Sequence, residues 1–538
     1  MLKELIQKSL SLGIEKNRNK EDGQWGVQSG PLGNSLQENL QSLKQVFDLC
    51  ADISFREFEI NAGKPIPAAL IYFKGITDAK RISEQMLEPI MYVAPELRDD
   101  CQSMDDKTIH YVRNRLSTAA SVETTQDIGE VTKGILDSKV ALLMDGVSSA
   151  LLMDAPGGKT RTLAEPDSEP VVRGPKDGFV ESLSTNIMLL RRRIRTSLLK
   201  METLEIGDLS RTQIAVCYVQ GIANDKIVEE VKTRLKRIKI DGILASGYIE
   251  EMIQDEPISN FPLIFTTERP DRVAGCLLEG RVAIIVDNTP VSLVVPCTFS
   301  SLLQASEDYY ITAEFSTFVR ILRFIGLNFS LMLPALTVAV FSFHQELIPL
   351  PLLATVAGAR QELPLPVFME ILAMEITFEL LREAGVRLPK TIGQAISTVG
   401  GIVIGQAAVN AGFVSPLSVI VVALTAISSF TIPNYPAGTS IRILRFFLLV
   451  SSAVLGIVGI MFALMLILFH LTSLRSFGVP YLSPFAPYSP RDFKDSIIRV
   501  PWWAMITRPR LYEGKEPERQ ARNQGPQKPD QEGGNSHQ

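Results

Sequence analysis

Residues 391–441 read TIGQAISTVGGIVIGQAAVNAGFVSPLSVIVVALTAISSFTIPNYPAGTSI and contain no Asp, Glu, Lys, Arg or His. A second apolar run, residues 446–471, has His470 as its one titratable side chain. A helix needs roughly 17–25 apolar residues to cross a bilayer. The first run is therefore long enough for two crossings, with a polar break at 410–416, and the second run supplies another. This pattern predicts a polytopic membrane protein.

The segment before these runs extends the predicted membrane region. Residues 324–343 are uncharged, whereas residues 348–384 are rich in proline and interrupted by charged side chains. We therefore treat 348–384 as an amphipathic or re-entrant segment. The predicted transmembrane domain, 301–474, has four strong spans: 324–343, 391–411, 415–432 and 446–471.

Composition separates the chain into a charged part and an apolar part. The 538 residues are 46% hydrophobic and 21% charged, with a net charge of −5, but most of the charge lies in residues 1–320. A protein that binds nucleic acid usually has a basic face, which this mildly acidic composition does not indicate. We therefore expect no nucleic-acid partner. The N-terminus has no apolar core typical of a signal peptide, and Arg320 and Arg323 precede the first span. Together with widely spaced cysteines, these features predict a cytoplasmic N-terminal region.

An internal repeat indicates how the charged part is organised. Residues 68–87 (AALIYFKGITDAKRISEQML) and 214–233 (IAVCYVQGIANDKIVEEVKT) match at an offset of 146 residues, and both read as strand, turn and helix. A second pair, residues 139–157 and 281–299, reads as two hairpins. We predict two similar α/β subdomains; the alternative is a coincidental likeness between strand–turn–helix segments.

The predicted fold class is an α/β cytoplasmic N-terminal region of two similar subdomains followed by an all-α polytopic membrane domain. The predicted parts are a flexible extension (1–35), subdomain N1 (36–160), a linker (161–177), subdomain N2 (178–300), the transmembrane domain, a membrane-proximal segment (475–512) and a disordered tail (513–538).

Two motifs in the charged part resemble ligand-binding sequences, but we predict no bound ligand at either. Residues 157–160 read GGKT, but Met153 stands where a phosphate-binding loop requires glycine. The basic run at Arg191, Arg192, Arg193 and Arg195 is interpreted as a solvated helix face.

Enzyme chemistry is not predicted. The four histidines are scattered, and neither a nucleophile elbow nor a HExxH zinc motif occurs. We therefore expect no catalytic residue, no cofactor and no metal site.

The helix predicted at 391–411 has two distinct faces. One stripe is polar at both ends and apolar in the middle, and the other side carries small residues that allow close helix packing. Such a stripe suits a pore with a hydrophobic constriction; the alternative is that its polar residues bind a neighbouring helix. The stripe comprises Thr391, Ala395, Val399, Ile402, Gln406 and Asn410, and the packing side comprises Gly393, Ser397, Gly400, Gly401, Gly405 and Ala408.

An acidic row precedes this helix. Glu375, Glu379 and Glu383 recur every four residues and so share one helix face. A solvated face is one interpretation of the row. The other is a vestibule that attracts cations.

Six motifs in this chain resemble the A subunits of GerA-type spore germinant receptors. They are 279–287 (EGRVAIIVD), 307–310 (EDYY), 375–385 (EITFELLREAG), 404–408 (IGQAA), 422–427 (VALTAI) and 474–481 (LRSFGVPY). The resemblance extends over residues 36–510.

The resemblance implies a receptor in the inner spore membrane with a transporter-like B subunit and a lipoprotein C subunit. It also implies that the A subunit forms a homo-oligomer, a pentamer, in contact with membrane lipid, and acts as a nutrient-gated cation channel that triggers germination. Two alternative functions are a solute transporter and a sensor that binds a small molecule through its N-terminal subdomains.

Overall fold

The computed structural model describes residues 30–62, 64–92, 112–113, 121–157, 165–166, 168–361, 363–388, 405–512, 514–522 and 524–526. The contacts divide the chain into two compact units. The sheet unit comprises the described parts of Met1–Gln254, Ile264–Pro296 and Trp502–Gln538. The helical unit comprises Asp255–Leu263 and the described parts of Cys297–Pro501.

The sheet unit contains two five-stranded antiparallel sheets with the same strand order. The first has the order β1-β2-β4-β5-β3 and the second β6-β7-β9-β10-β8. The first comprises β1 (Ile53–Ala62), β2 (Lys64–Phe73), β3 (Val122–Thr125), β4 (Lys139–Met144) and β5 (Ala150–Asp154). The second comprises β6 (Leu199–Ile206), β7 (Thr212–Val219), β8 (Phe265–Thr267), β9 (Val282–Val286) and β10 (Ser292–Val295).

Each sheet lies within one of the two sequence repeats, and both predicted hairpins are confirmed. β4 pairs with β5 and β9 pairs with β10, all antiparallel. Gly146 and Asn288 occupy positive φ angles of 81° and 65° at the two turns, conformations that favour Gly and Asn.

Amphipathic helices cover the sheets. Helix α1 (Leu36–Val46) begins at Ser35, whose side chain accepts from the N–H of Glu38, and it buries Leu36, Leu40 and Leu43. The others are α2 (Ala79–Arg81, continued by the π-helical Ile82–Leu87 and by Glu88–Tyr92), α3 (Ile128–Leu136), α4 (Leu183–Arg193), α5 (Asp225–Arg237), α6 (Ser246–Ile253) and α7 (Pro270–Glu279).

A buried ion pair joins the elements of the two repeats. Arg191 of α4 donates from Nε and Nη2 to the carboxylate of Asp52, over 3.0 and 2.9 Å, and the Arg191 side chain is fully buried. Burial opposes its charge, but the Asp52 carboxylate raises the pKa of Arg191. The prediction that Arg191 lies on a solvated face is therefore wrong, because its carboxylate partner lies 139 residues earlier in the chain.

The C-terminal segment returns to the second sheet. The N–H groups of Gly514 and Lys515 donate to the carbonyls of Ile222 and Gly221, over 2.7 and 3.0 Å. Arg508 Nε donates to the carbonyl of Leu278 at the end of α7. The disordered tail predicted at 513–538 is described at residues 514–522 and 524–526, and this described part begins with the two backbone hydrogen bonds of Gly514 and Lys515.

The helical unit consists of helices and short turns. Its helices are α8 (Phe299–Leu302), α9 (Ala313–Phe343), α10 (Leu350–Arg360), α11 (Val367–Arg387), α12 (Gly405–Asn410), α13 (Pro416–Ser429) and α14 (Tyr435–Ser473). Within the described ranges, α9 and α14 are long and apolar enough to cross a membrane, and α13 is a shorter apolar helix.

Helix α14 reverses direction at its middle. Gly456 has φ 61° and ψ −137°, which no helical residue adopts, and a Cβ at Gly459 would overlap the carbonyl oxygen of Ser451. The two halves therefore form a hairpin. The predicted span 446–471 stays a prediction, and in the structure the conformation of Gly456 divides this otherwise uniform apolar run into two parts.

The two open ends of this hairpin meet the same short segment, Asp255–Leu263. Ser440, in the first half, donates to the carbonyl of Asn260. His470, in the second half, has its Nε2 atom 3.2 Å from Ser259 Oγ. The first half consequently begins, and the second half ends, at the same end of the helical unit.

Candidate functional site

The predicted pore helix is described only at its C-terminal end. Among the pore-lining and packing candidates, those outside the described residues are Thr391, Gly393, Ala395, Ser397, Val399, Gly400, Gly401 and Ile402. Their roles stay predictions.

The described end of this helix, α12, presents its two polar candidates to the exterior of the single chain. Gln406 Nε2 donates to Asn410 Oδ1 over 3.1 Å, and both side chains are exposed. Gly405 is buried, and a Cβ there would lie 3.9 Å from Val419 Cγ1. Ala408 is half-buried. Within the described residues, the two polar side chains bind each other and no neighbouring helix.

The acidic row on α11 meets arginines from the start of α14. The Glu375 carboxylate lies 2.9 Å from Arg445 Nη2, and both side chains are 1% exposed. Glu379 accepts from Arg445 Nη2 over 3.0 Å and from Arg442 Nη1 over 2.8 Å. Glu383 is exposed and pairs with Arg387 one turn further along. The vestibule stays a prediction, but arginines balance the charge of the row.

A second buried carboxylate lies at the other end of α11. Glu370 Oε2 accepts from the N–H of Ser415 over 3.1 Å and from the hydroxyl of Ser418 over 2.9 Å. Its Oε1 atom lies 3.0 Å from Arg360 Nη2. Since the N-terminal end of a helix carries partial positive charge, the carboxylate also stabilises the start of α13.

A third ion cluster ties the start of α9 to the segment after α14. Asp308 accepts from Arg320 Nε over 3.0 Å and from Arg323 Nη1 over 2.7 Å. Arg320 also donates to Asp495 over 2.9 Å. The sequence indicates these arginines only as markers of membrane orientation, and the tertiary structure shows their carboxylate partners.

The helical unit thus holds buried charges at both of its ends. Sequence reasoning identified Glu375 and Glu379 but missed Glu370 and the partners Arg360, Arg442 and Arg445. The available signal was a set of basic residues bordering apolar runs, but the pairing depends on which helices pack together. Among the described residues, no cluster of three His, Cys, Asp or Glu side chains could hold a metal ion.

The chain matches a known protein family and one of its relatives over most of its length. A family model described as Bacillus/Clostridium GerA spore germination protein matches residues 41–511. The chain is 43% identical over 500 residues to the uncharacterized membrane protein YfkQ of Bacillus subtilis (strain 168), covering 93% of this chain and 95% of that protein.

Two further relatives from Bacillus subtilis (strain 168) carry functional names. Spore germination protein KA is 42% identical, with 92% of this chain and 89% of that protein covered. Spore germination protein A1 is 41% identical, with 80% and 87% covered. Among solved structures, the N-terminal domain of the A subunit of the Bacillus megaterium spore germinant receptor GerK3 matches with TM-score 0.41 and 34% identity, covering 51% of this chain and 98% of that domain.

Proposed function

This chain belongs to the GerA family of spore germination proteins, and on that premise we propose that it is a multi-pass membrane subunit of a nutrient germinant receptor. Its named relatives include the spore germination proteins KA, A1 and GerLA. In the proposed receptor, this chain works with a transporter-like B subunit and a lipoprotein C subunit in the inner spore membrane. It oligomerises, as a pentamer, into a cation channel that opens when the receptor senses nutrient.

The reversal at Gly456 is the observation that carries the proposed membrane topology. A Cβ at Gly456 would lie 2.9 Å from His344 Cε1, so the turn of the α14 hairpin meets the residue that follows α9. Arg320, near the start of α9, pairs with Asp495 after the hairpin. Helix α9 and both halves of α14 therefore run between the same two ends of the helical unit. At 1.5 Å per residue, the two halves are roughly 31 and 25 Å long, enough for two crossings.

Helices α11 and α13 run parallel between these ends. Glu370, at the start of α11, binds Ser415 at the start of α13. Arg382, near the end of α11, lies with its guanidinium 4.7 Å from the ring centroid of Phe430 at the end of α13. In this proposal, the predicted span 391–411 connects α11 to α13 by crossing in the opposite direction. In this proposal, 348–384 contributes a crossing through α11.

The proposed path has six crossings. They are α9, α11, the predicted span 391–411, α13 and the two halves of α14. An even number places the chain on one side before and after the helical unit. The described parts of Met1–Gln254, Ile264–Pro296 and Trp502–Gln538 belong to one compact unit, which supports an even number. The proposed cytoplasmic ends carry the basic residues Arg320, Arg323, Arg382, Arg387, Lys390, Arg442, Arg445 and Arg475, as the positive-inside rule favours.

The channel proposal rests on the polar-apolar-polar stripe of 391–411. Gln406 and Asn410 are exposed in the single chain and bind each other. A polar pair at the end of a membrane helix favours a water-filled axis or a contact with another chain over lipid. Val399 and Ile402 then form the apolar constriction that closes the pore by dewetting.

The experiment that tests this function measures assembly and ion retention together. We expect the purified full chain to form a symmetric pentamer by native mass spectrometry. We also expect spores with Val399→Ser or Ile402→Ser to release potassium or to germinate without nutrient. The matched control is Ile420→Ser, since Ile420 on α13 is exposed and lies outside the stripe. A monomer, or equal ion retention in all three variants, would end the channel proposal.

A further inference from the structure

Helix α9 begins well before the level at which the neighbouring helices end. A Cβ at Gly326 would overlap Thr431 Oγ1, in the turn between α13 and α14. Gly326 therefore marks the level at which α13 ends and α14 begins, which is the cytoplasmic end of the helical unit in the proposed topology. The part of α9 before it, 313–325, projects roughly 20 Å past that level at 1.5 Å per residue.

One side of this projecting segment packs against the chain itself. Arg320 is buried and pairs with Asp308 and Asp495 over 3.0 and 2.9 Å. The N–H of Arg499 donates to Thr317 Oγ1 over 3.1 Å. Polar and charged partners from the same chain therefore cover this side of the helix.

The other side of the projecting segment is apolar and exposed. Phe315 and Phe318 have exposed fractions of 57% and 56%, and Ile321 and Leu322 have 42% and 46%. These four residues form the projecting apolar face. If a phenylalanine side chain has ~200 Å² to bury, the two rings alone leave roughly 200 Å² of apolar surface uncovered. Together with Ile321 and Leu322, this approaches the size of patch that marks an interaction site on a soluble surface.

In the proposed topology, lipid does not reach the two phenylalanines. Headgroups extend about 5–8 Å beyond the hydrocarbon on each side of a bilayer. Measured along the helix from Phe324, where the predicted span begins, Phe318 lies roughly 9 Å and Phe315 roughly 14 Å further out. Side chains on a helix lean toward its N-terminus, so both rings point away from the membrane. The projecting apolar face therefore requires a protein partner.

The spacing of this face indicates what kind of partner it fits. In a heptad written abcdefg, Phe315, Leu322 and Phe329 occupy position a, and Phe318 and Ile325 occupy position d. All five side chains are exposed. Such a seam packs against a second helix with the same spacing. It also continues from the projecting segment into the predicted span, so a partner that follows it is itself a membrane helix. A second copy of α9 has this seam in the parallel orientation.

We propose that the projecting apolar face packs in parallel against the same face of another copy of this chain, and that this contact holds the oligomer together on the cytoplasmic side. The inference rests on the oligomer and the topology proposed above, and it names the surface through which the copies meet. Buried aromatic side chains dominate the stability of many protein interfaces, so Phe315 and Phe318 are its anchors.

The test compares the oligomeric state of full-length chains in a mild detergent by native mass spectrometry. The double variant Phe315→Glu with Phe318→Glu places like charges on the seam of every copy. We expect the apparent dissociation constant of the oligomer to rise by roughly 100-fold or more, as for the loss of interface anchors. The matched control is Leu209→Glu, since Leu209 is an 83% exposed apolar residue in the turn between β6 and β7. Equal dissociation in the double variant, the control and the parent would overturn the proposal.

A second measurement leaves the seam uncharged. We use membranes that contain the Phe318→Cys chain with Cys101 also replaced by serine; the other four cysteines are buried. Because equivalent d positions of parallel helices face each other, mild oxidation should give disulfide-linked dimers. Tyr488→Cys is the control, since Tyr488 is 69% exposed and lies outside α9. Equal dimer yields at the two positions would indicate random collision and would overturn the proposal.

The state of the parent chain separates failure of this surface from failure of the proposed assembly. A parent oligomer that the double variant leaves intact would overturn the surface and leave the channel proposal standing. The same result combined with easier release of the double variant from washed membranes would assign the face to lipid. A monomeric parent would overturn both proposals.

Discussion

The backbone N–H of Gly514 donates to the carbonyl of Ile222 over 2.7 Å. In the first repeat, the N–H of Gly157 donates to the carbonyl of Ile76 over the same distance, and Ile76 and Ile222 are equivalent positions, 146 residues apart. In the first sheet this contact comes from the residues that directly follow β5. In the second, the chain leaves for the helical unit after β10, and the C-terminal segment supplies the contact on its return.

We expect Gly514→Ala to release this C-terminal segment. A Cβ at 514 would lie 2.5 Å from the carbonyl oxygen of Ala223, and relief of such overlap typically costs 1–3 kcal/mol. The population of the released segment should rise by roughly 5- to 150-fold, and trypsin should cleave faster at Lys515. The matched control is Gly275→Ala, since a Cβ there meets nothing within 4 Å. Equal cleavage rates in both variants would show that the contact does not hold the segment.

We expect Asp52→Asn to destabilise the sheet unit strongly. It leaves the buried Arg191 without a counter-charge, which typically costs 3–5 kcal/mol. The control is Asp137→Asn, because Asp137 pairs with Arg195 at the surface, where a pair contributes about 0–1 kcal/mol. Thermal unfolding of the full chain measures both. Replacing the pair by Asp52→Leu with Arg191→Met should restore most of the loss, and similar losses in the two Asn variants would contradict the prediction.

The stability of the sheet unit should depend on pH through Glu169. Burial raises the pKa of Glu169, although Thr267 donates a hydrogen bond to its carboxylate and Arg272 and Arg269 lie near. Because the folded pKa exceeds the unfolded pKa, the stability from this group is present at low pH and is lost as pH rises through the folded pKa. Glu169→Gln should therefore match the parent in acid and be more stable at neutral pH.

Glu165 on the same segment supplies a control of opposite sign. The N–H of Val171 donates to its carboxylate and lowers the pKa of Glu165. Its stability contribution is present at neutral pH and is lost as pH falls, so Glu165→Gln should be less stable than the parent at neutral pH. Unfolding curves for both variants between acid and neutral pH check the two signs. Identical pH dependence in the two variants would contradict the assignment.

We expect the C-terminal segment to lie in the cytoplasm and to depend on Gly456 for that position. A Lys515→Cys reporter should resist a membrane-impermeant maleimide in intact cells and react after permeabilisation. Gly456→Ala should lower the amount of correctly inserted chain, since a non-glycine residue at φ 61° costs about 1–3 kcal/mol and its Cβ would crowd Phe343 and His344.

Gly438→Ala on the same helix is the control for this prediction, because a Cβ at Gly438 meets nothing within 4 Å. If the maleimide labels Lys515→Cys in intact cells when Gly456 is unchanged, the chain has an odd number of crossings. That result would refute the six-crossing topology.

Some elements of the fold could be predicted from the local sequence. The hairpins at 139–157 and 281–299 were predictable because each strand pairs with its sequence neighbour across a short turn. Helix α1 was predictable because Ser35 caps it and Leu36, Leu40 and Leu43 repeat on one face. Gly405, Gln406, Ala408 and Asn410 lie on a helix as predicted, and the other pore-lining and packing candidates lie outside the described residues.

The apolar runs, the repeated strand pattern and the family follow from the order of the amino acids alone, since all three depend on local composition and on order along the chain. The reversal of α14 at Gly456, the burial of Arg191 against Asp52 and the pairing of Arg445 with Glu375 depend on how distant segments pack. The mean hydropathy of a run contains no information about the φ angle of one residue, so it does not predict the reversal at Gly456. A charge finds its partner through packing between segments tens to hundreds of residues apart, and periodicity within one helix carries no information about that distance.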